Sequence, residues 1–78
     1  MTKIFVGGLS SEISELDLVS FVSAYASVST IKIVRDRITK KCKGYAFLEM
    51  ENESEAEKAI SRVDGLQYKG NRLTVKVA

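Results

Sequence analysis

The sequence predicts an α+β sandwich: a four-stranded antiparallel sheet with two helices on one face, in the order βαββαβ. Three observations predict it. Residues 3–8 and 43–50 alternate in character with the period of two that marks a strand. Two further stretches, after Ser14 and after Asn52, carry apolar residues at the three-and-four spacing of a helix. The chain has only 78 residues, and a domain of that size buries about 60% of its unfolded surface. It can cover one face of a sheet with helices and must leave the other open.

The elements follow in order. Residues 3–8, Lys-Ile-Phe-Val-Gly-Gly, form the first strand, with Ile4 and Val6 on one face and Lys3, Phe5 and Gly7 on the other. After a loop, Ser14 is the N-cap of the first helix, with Asp17 three residues later in the manner of a capping box. Ile13 before the cap and Leu18 inside the helix are spaced as a hydrophobic staple. Leu18, Phe21, Val22 and Tyr25 then make one apolar stripe, so Phe21 and Tyr25 are expected in the core. The second strand covers residues 28–35, with Ile31 and Ile33 on one side and Lys32 and Val34 on the other. Residues 36–42 are a polar, basic loop, and residues 43–50 are the third strand. The second helix runs from about residue 53 to 63, capped by Asn52, with Ala56, Ala59, Ile60 and Val63 buried. Gly65 suits a left-handed position just past its end. Residues 66–69 form a short extra strand or turn, and Gly70-Asn71 is a turn signal. The last strand spans 72–77, with Leu73, Val75 and Val77 inward and Thr74 and Lys76 outward. This order is that of the ferredoxin-like, split βαβ arrangement.

The third strand shows which face stays open. Gly44, Ala46, Leu48 and Met50 point one way; Lys43, Tyr45, Phe47 and Glu49 point the other. The face ended by two charges is the one to meet solvent. Tyr45 and Phe47 then stand on an open surface, and the same logic exposes Phe5. Clustered exposed aromatics are costly unless something flat covers them. Unpaired nucleobases are the commonest such partner.

Composition narrows the function classes. Twelve basic and ten acidic residues leave a net charge of only +2, but the charges are segregated. Six basic residues and one acid lie between Lys32 and Lys43; five glutamates and no basic residue lie between Glu49 and Glu57. The molecule is expected to be electrically two-sided. A single cysteine, Cys42, excludes an internal disulfide and a cysteine-based zinc site. With no histidine, the common metal sites and acid–base triads are excluded as well. No nucleophile-with-base constellation and no phosphate-binding loop of the Walker type is present, so the chain is not expected to be an enzyme and needs no cofactor. Nothing resembles a signal peptide, and no apolar run could span a membrane. An intracellular location, cytoplasm or nucleus, is expected, with no membrane partner.

With these residues placed, the chain resembles an RNA recognition motif domain over residues 3–78. The octapeptide of that family, K/R-G-F/Y-G/A-F-V-x-F/Y, is similar to Lys43-Gly44-Tyr45-Ala46-Phe47-Leu48-Glu49-Met50. Leu48 stands for valine, and Met50 stands for the last aromatic at a position whose parity faces the core. The family hexapeptide is similar to Ile4-Phe5-Val6-Gly7-Gly8-Leu9, with Gly8 where many members have asparagine. The wording resembles the heterogeneous-nuclear-ribonucleoprotein and Musashi-like branch. Lys40 stands where a glycine is frequent in the loop before the octapeptide.

The resemblance implies one domain over residues 1–78, acting as a monomer that binds single-stranded RNA in post-transcriptional regulation, with single-stranded DNA as the second candidate ligand. It implies that Phe5, Tyr45 and Phe47 lie side by side on central strands, Phe5 and Tyr45 each stacking on a base and Phe47 packing against the sugars between them, with Lys43 on a phosphate and Lys3, Lys32 and Lys76 as further contacts on the open face. The alternative is a protein-interaction variant of the same fold. Such variants lose the sheet aromatics and carry Arg-x-Phe before the last strand, where this chain reads Arg72-Leu73-Thr74.

Overall fold

The computed structural model describes all residues, 1–78. Strands β1 (Thr2–Gly7), β2 (Val28–Arg35), β3 (Cys42–Met50) and β6 (Thr74–Val77) form one sheet in the order β2-β3-β1-β6. All three pairings in it are antiparallel. Helices α1 (Glu15–Ser23) and α2 (Glu53–Val63) pack on one face. Two-residue strands β4 (Gln67–Tyr68) and β5 (Asn71–Arg72) make a separate hairpin. The expected βαββαβ order, the single-sided helices and the bounds of α2 all hold.

Local chemistry explains the helix starts. The Ser14 hydroxyl accepts the Asp17 N–H at 3.1 Å, and the Asn52 side chain accepts the Glu55 N–H at 2.9 Å. Each satisfies one of the orphan donors of a first helical turn. Ile13 and Leu18, the staple pair, are both in the core.

The core is the layer between sheet and helices. Ile4 and Val6 of β1, Ile33 of β2, Ala46, Leu48 and Met50 of β3 and Val75 of β6 meet Leu18 and Val22 of α1 and Ala56, Ala59 and Val63 of α2. Phe21 and Tyr25 border this layer rather than fill it. Both are half-buried, and the Phe21 ring lies 4.3 Å from that of Tyr68, so the β4–β5 hairpin gives α1 an aromatic neighbour.

Four local expectations are corrected. Cys42 is the first residue of β3 and is buried, not a loop residue; its N–H donates to the Ser11 carbonyl at 3.0 Å, and its sulfur accepts the Gly44 N–H at 3.2 Å. The tight turn is Lys69-Gly70, both at positive φ, with Asn71 already in β5; two consecutive left-handed residues are what a type I′ hairpin requires. Arg72 belongs to that hairpin and not to the last strand. Val77, at the frayed end of edge strand β6, is 65% exposed.

Gly8 shows why the first motif ends as it does. Its φ is +84°, and a Cβ there would come within 2.3 Å of the Arg72 carbonyl oxygen. The backbone leaving β1 therefore passes directly over the segment entering β6. A Gly8→Ala protein combines left-handed strain of about 1–2 kcal/mol with a backbone clash. We expect its denaturation midpoint to fall by the equivalent of roughly 2–4 kcal/mol; an unchanged midpoint in a urea titration would disprove the close approach.

Surface carboxylates tie elements together. Glu15 accepts Arg35 at 2.7 Å, Asp17 pairs with Lys69 at 3.4 Å, and Glu55 accepts both Lys58 at 2.9 Å and the Ser27 N–H at 2.8 Å. Asp36 accepts the Ile38 and Thr39 N–H groups at 2.8 and 2.9 Å, closing the β2–β3 loop. The Arg35 hydrogen bond holds the Glu15 carboxyl below its usual range; the Ser14 hydroxyl and then Lys69 do so for Asp17; the Thr39 and Ile38 N–H groups for Asp36; Lys58 and then Ser27 for Glu55. A carboxyl with a lowered folded-state pKa adds stability that is full above the unfolded value, near pH 4, and is lost as pH falls through the folded value. Thermal midpoints are therefore expected to be level from pH 7 to about 5 and to decline below about 4. A midpoint rising on acidification would contradict these contacts.

Candidate nucleic-acid interface

The uncovered face of the sheet is organised by strand register. Phe5 of β1 lies opposite Phe47 of β3 on one side and Lys76 of β6 on the other, and Phe47 lies opposite Lys32 of β2. A single row thus runs Lys32, Phe47, Phe5, Lys76 across all four strands. The next row places Thr30, Glu49 and Lys3 together, and in the one before it Tyr45 faces Gly7.

The three rings make one cluster. Phe5 and Tyr45 are stacked, with centroids 5.7 Å apart and planes at 29°. Phe47 stands edge-on to both, at 5.8 Å from Phe5 and 6.1 Å from Tyr45. Each ring is half-buried because its neighbours shade it, and none belongs to the core cluster or to the apolar side chains packed against it. The absent side chain of Gly7 makes room for this arrangement: a Cβ there would lie 2.9 Å from the Phe5 ring.

Cations border the platform. Lys76 Nζ is 5.2 Å from the Phe5 ring centre and Lys3 Nζ 6.0 Å from that of Phe47, both within cation–π reach. On the β2 side an open groove of about 540 Å³ is lined by Lys3, Thr30, Lys32, Val34, Phe47 and Glu49, among others. Glu49 accepts the Thr30 hydroxyl at 2.7 Å.

Six of the seven residues singled out in the sequence, Phe5, Tyr45, Phe47, Lys3, Lys32 and Lys76, fall in this register-built array. Lys43 stands apart. Between the pairs Ile33–Ala46 and Arg35–Cys42, β3 carries Lys43, Gly44 and Tyr45 against the single residue Val34, which is a bulge. Gly44 takes φ +107° there. Lys43 is exposed, and its charge is felt at Asp36 in the adjoining loop. The loop is also less free than its composition implies. Arg35 is committed to Glu15 and to the Ile13 and Lys40 carbonyls, and Lys41 pairs with Glu12 at 3.3 Å. Lys40 takes the left-handed conformation, φ 66°, that glycine would take without strain. Sequence reasoning missed Thr30 and left the groove unseen, because both depend on which strand lies beside β3.

The sequence profile of the RNA recognition motif matches residues 4–74, from within β1 through both helices to the first residue of β6. The chain belongs to the RNA recognition motif family. It is 37% identical over 76 residues to RbpA of Synechocystis sp., covering 97% of this chain and 75% of RbpA. Against the boule-like protein of Homo sapiens the identity is 40% over 73 residues, covering 94% of this chain. The match spans 25% of the boule-like protein's own length. The solved complex of the Sex-lethal protein with RNA superposes with a TM-score of 0.91 at 29% identity, over 99% of this chain and 47% of that one. Within this RNA recognition motif, the two sequence motifs of the family are the two central strands. No helix is long and apolar enough to cross a membrane.

Proposed function

We propose that this RNA recognition motif binds single-stranded RNA across the open sheet, with unpaired bases stacked on the cluster of Phe5, Tyr45 and Phe47. The observation that carries the reading is that three aromatic rings stand within 6.1 Å of one another on the face that no helix covers. Membership of the family and the likeness to a chain solved with RNA support it. The platform holds about two to four nucleotides. Lys3, Lys32 and Lys76 along its rows, and Lys43 at its bulged end, supply phosphate contacts. Each stacked base contributes roughly 1–3 kcal/mol, so two or three of them, against the ordering of a flexible strand, give an affinity of about micromolar. The binding unit is residues 1–78 acting as one monomeric domain, a passive binder inside the cell rather than an enzyme, and single-stranded DNA is bound through the same rings.

An amide NMR titration with a random-sequence single-stranded RNA tests this. Shifts are expected at Phe5, Tyr45, Phe47 and their strand neighbours, saturating in the micromolar range. Silence on the sheet, or shifts confined to residues 36–41, would overturn the platform and turn attention to protein partners.

A further inference from the structure

We propose that Glu49 is a base-reading residue of this interface and selects a guanine stacked on Phe47 over a uracil, an inference that rests on the RNA-binding reading above. Glu49 is the one acid among the residues of the open face, where Lys3, Lys32 and Lys76 supply the charge. A carboxylate there repels phosphates, so a role in RNA binding has to come from donors on a base edge.

Its geometry suits that role. The Thr30 hydroxyl fixes one carboxylate oxygen at 2.7 Å. Lys3 is the register partner of Glu49 across β1, but its ammonium group lies 6.0 Å from the Phe47 ring centre and forms no ion pair with the acid. The second carboxylate oxygen, Oε2, has no protein donor. Glu49 follows Phe47 by two residues on the same face, about 7 Å along the strand. That is the distance from the middle of a base lying on the Phe47 ring to an acceptor at its edge. The groove between them, about 540 Å³, is of the size of small-molecule sites.

The chemistry then discriminates. An ionised carboxylate only accepts hydrogen bonds. The Watson–Crick edge of guanine offers two adjacent donors, N1–H and N2–H, and can pair with both oxygens. Adenine and cytosine each offer one amino group. Uracil offers a single N3–H flanked by two carbonyl oxygens, which face the carboxylate unfavourably. The expected order is guanine first, adenine and cytosine intermediate, uracil last. A bidentate base contact of this kind discriminates by about tenfold or more.

The test measures binding of the full chain to four hexamers, r(UUXUUU) with X as G, A, C or U, by fluorescence polarisation; the strand can slide until X reaches the groove. The G hexamer is expected to bind about tenfold tighter than the U hexamer. Glu49→Gln keeps the size but presents one acceptor and one donor, so the ratio is expected to fall to about twofold or less, mainly through weaker G binding. Thr30→Val, which removes the hydroxyl that positions the carboxylate, narrows the ratio by a smaller factor. Equal affinity of the wild-type protein for all four hexamers overturns this inference and leaves RNA binding standing. A guanine preference that survives Glu49→Gln overturns it too. No binding to any hexamer overturns it together with the RNA-binding reading.

Discussion

Replacing Phe5 and Phe47 together with alanine is expected to weaken RNA binding by roughly thirtyfold to ten-thousandfold while the protein stays folded. The magnitude follows from roughly 1–3 kcal/mol per stacked base and about 1.4 kcal/mol per tenfold in affinity. From a micromolar start, the double variant is expected to bind with a dissociation constant between about 30 micromolar and about 10 millimolar. The fold survives because neither ring is in the core cluster; what is lost inside the protein is their mutual contact at 5.8 Å, the contacts of each with Tyr45, and the cation–π contacts with Lys76 and Lys3. Aromatic pairs of this kind contribute about 0.5–1.5 kcal/mol each, so loss of the three lowers the thermal midpoint by at least about 6 °C, at about 4–8 °C per kcal/mol for a domain this small. Isothermal titration calorimetry and a thermal melt on the same sample decide the matter. Retained affinity would remove the aromatic cluster from the binding site, and complete unfolding would assign the rings to the core.

Leu48→Ala, one residue further along β3, has the opposite signature. Leu48 points to the helices, is fully buried, and lies in register between Ile4 of β1 and Ile31 of β2. Truncating a buried leucine costs about 2–5 kcal/mol, of which part is the cavity left behind. A chain of this length has a total stability of about 4–12 kcal/mol, at 0.05–0.15 kcal/mol per residue. The variant therefore loses a large fraction of its stability, and its melting point is expected to fall by at least about 10 °C. At a temperature where it remains folded, its RNA affinity stays within a few-fold of the original, because the open face is untouched. Substitutions on opposite faces of one sheet, one weakening binding and the other stability, test directly whether the two faces carry separate tasks. A Leu48→Ala protein that melts normally would contradict the assignment of the faces.

Much of this architecture was legible in the chain because its causes are local. The side chains of β3 alternate by geometry alone, so Ala46, Leu48 and Met50 inward already implied Tyr45, Phe47 and Glu49 outward. Ser14 and Asn52 announced their helices because a cap is a hydrogen bond spanning three residues. Fully local signals failed where the outcome depended on a competing partner. Gly70-Asn71 and Lys69-Gly70 are both plausible turns, and the pairing of Gln67 with Arg72 selects the second. Cys42 sits in a run of polar residues, but the Ser11 carbonyl and the bulge at Gly44 draw it into the strand.

The amino-acid order by itself determined the main elements, the face that most apolar side chains would seek, and the three aromatics set on the other face. Tertiary structure alone decided the strand order β2-β3-β1-β6, which sets Phe5 against Phe47 and builds a platform from residues more than forty positions apart. It also decided which charges remain available, taking Arg35 into a pair with Glu15 and Lys41 into one with Glu12 while leaving Lys3, Lys32 and Lys76 without an acidic partner. The reason is physical. Periodicity and capping act over a few residues of backbone, whereas ring stacking, ion pairing and the Thr30–Glu49 contact depend on distances that exist only once non-local strands have paired.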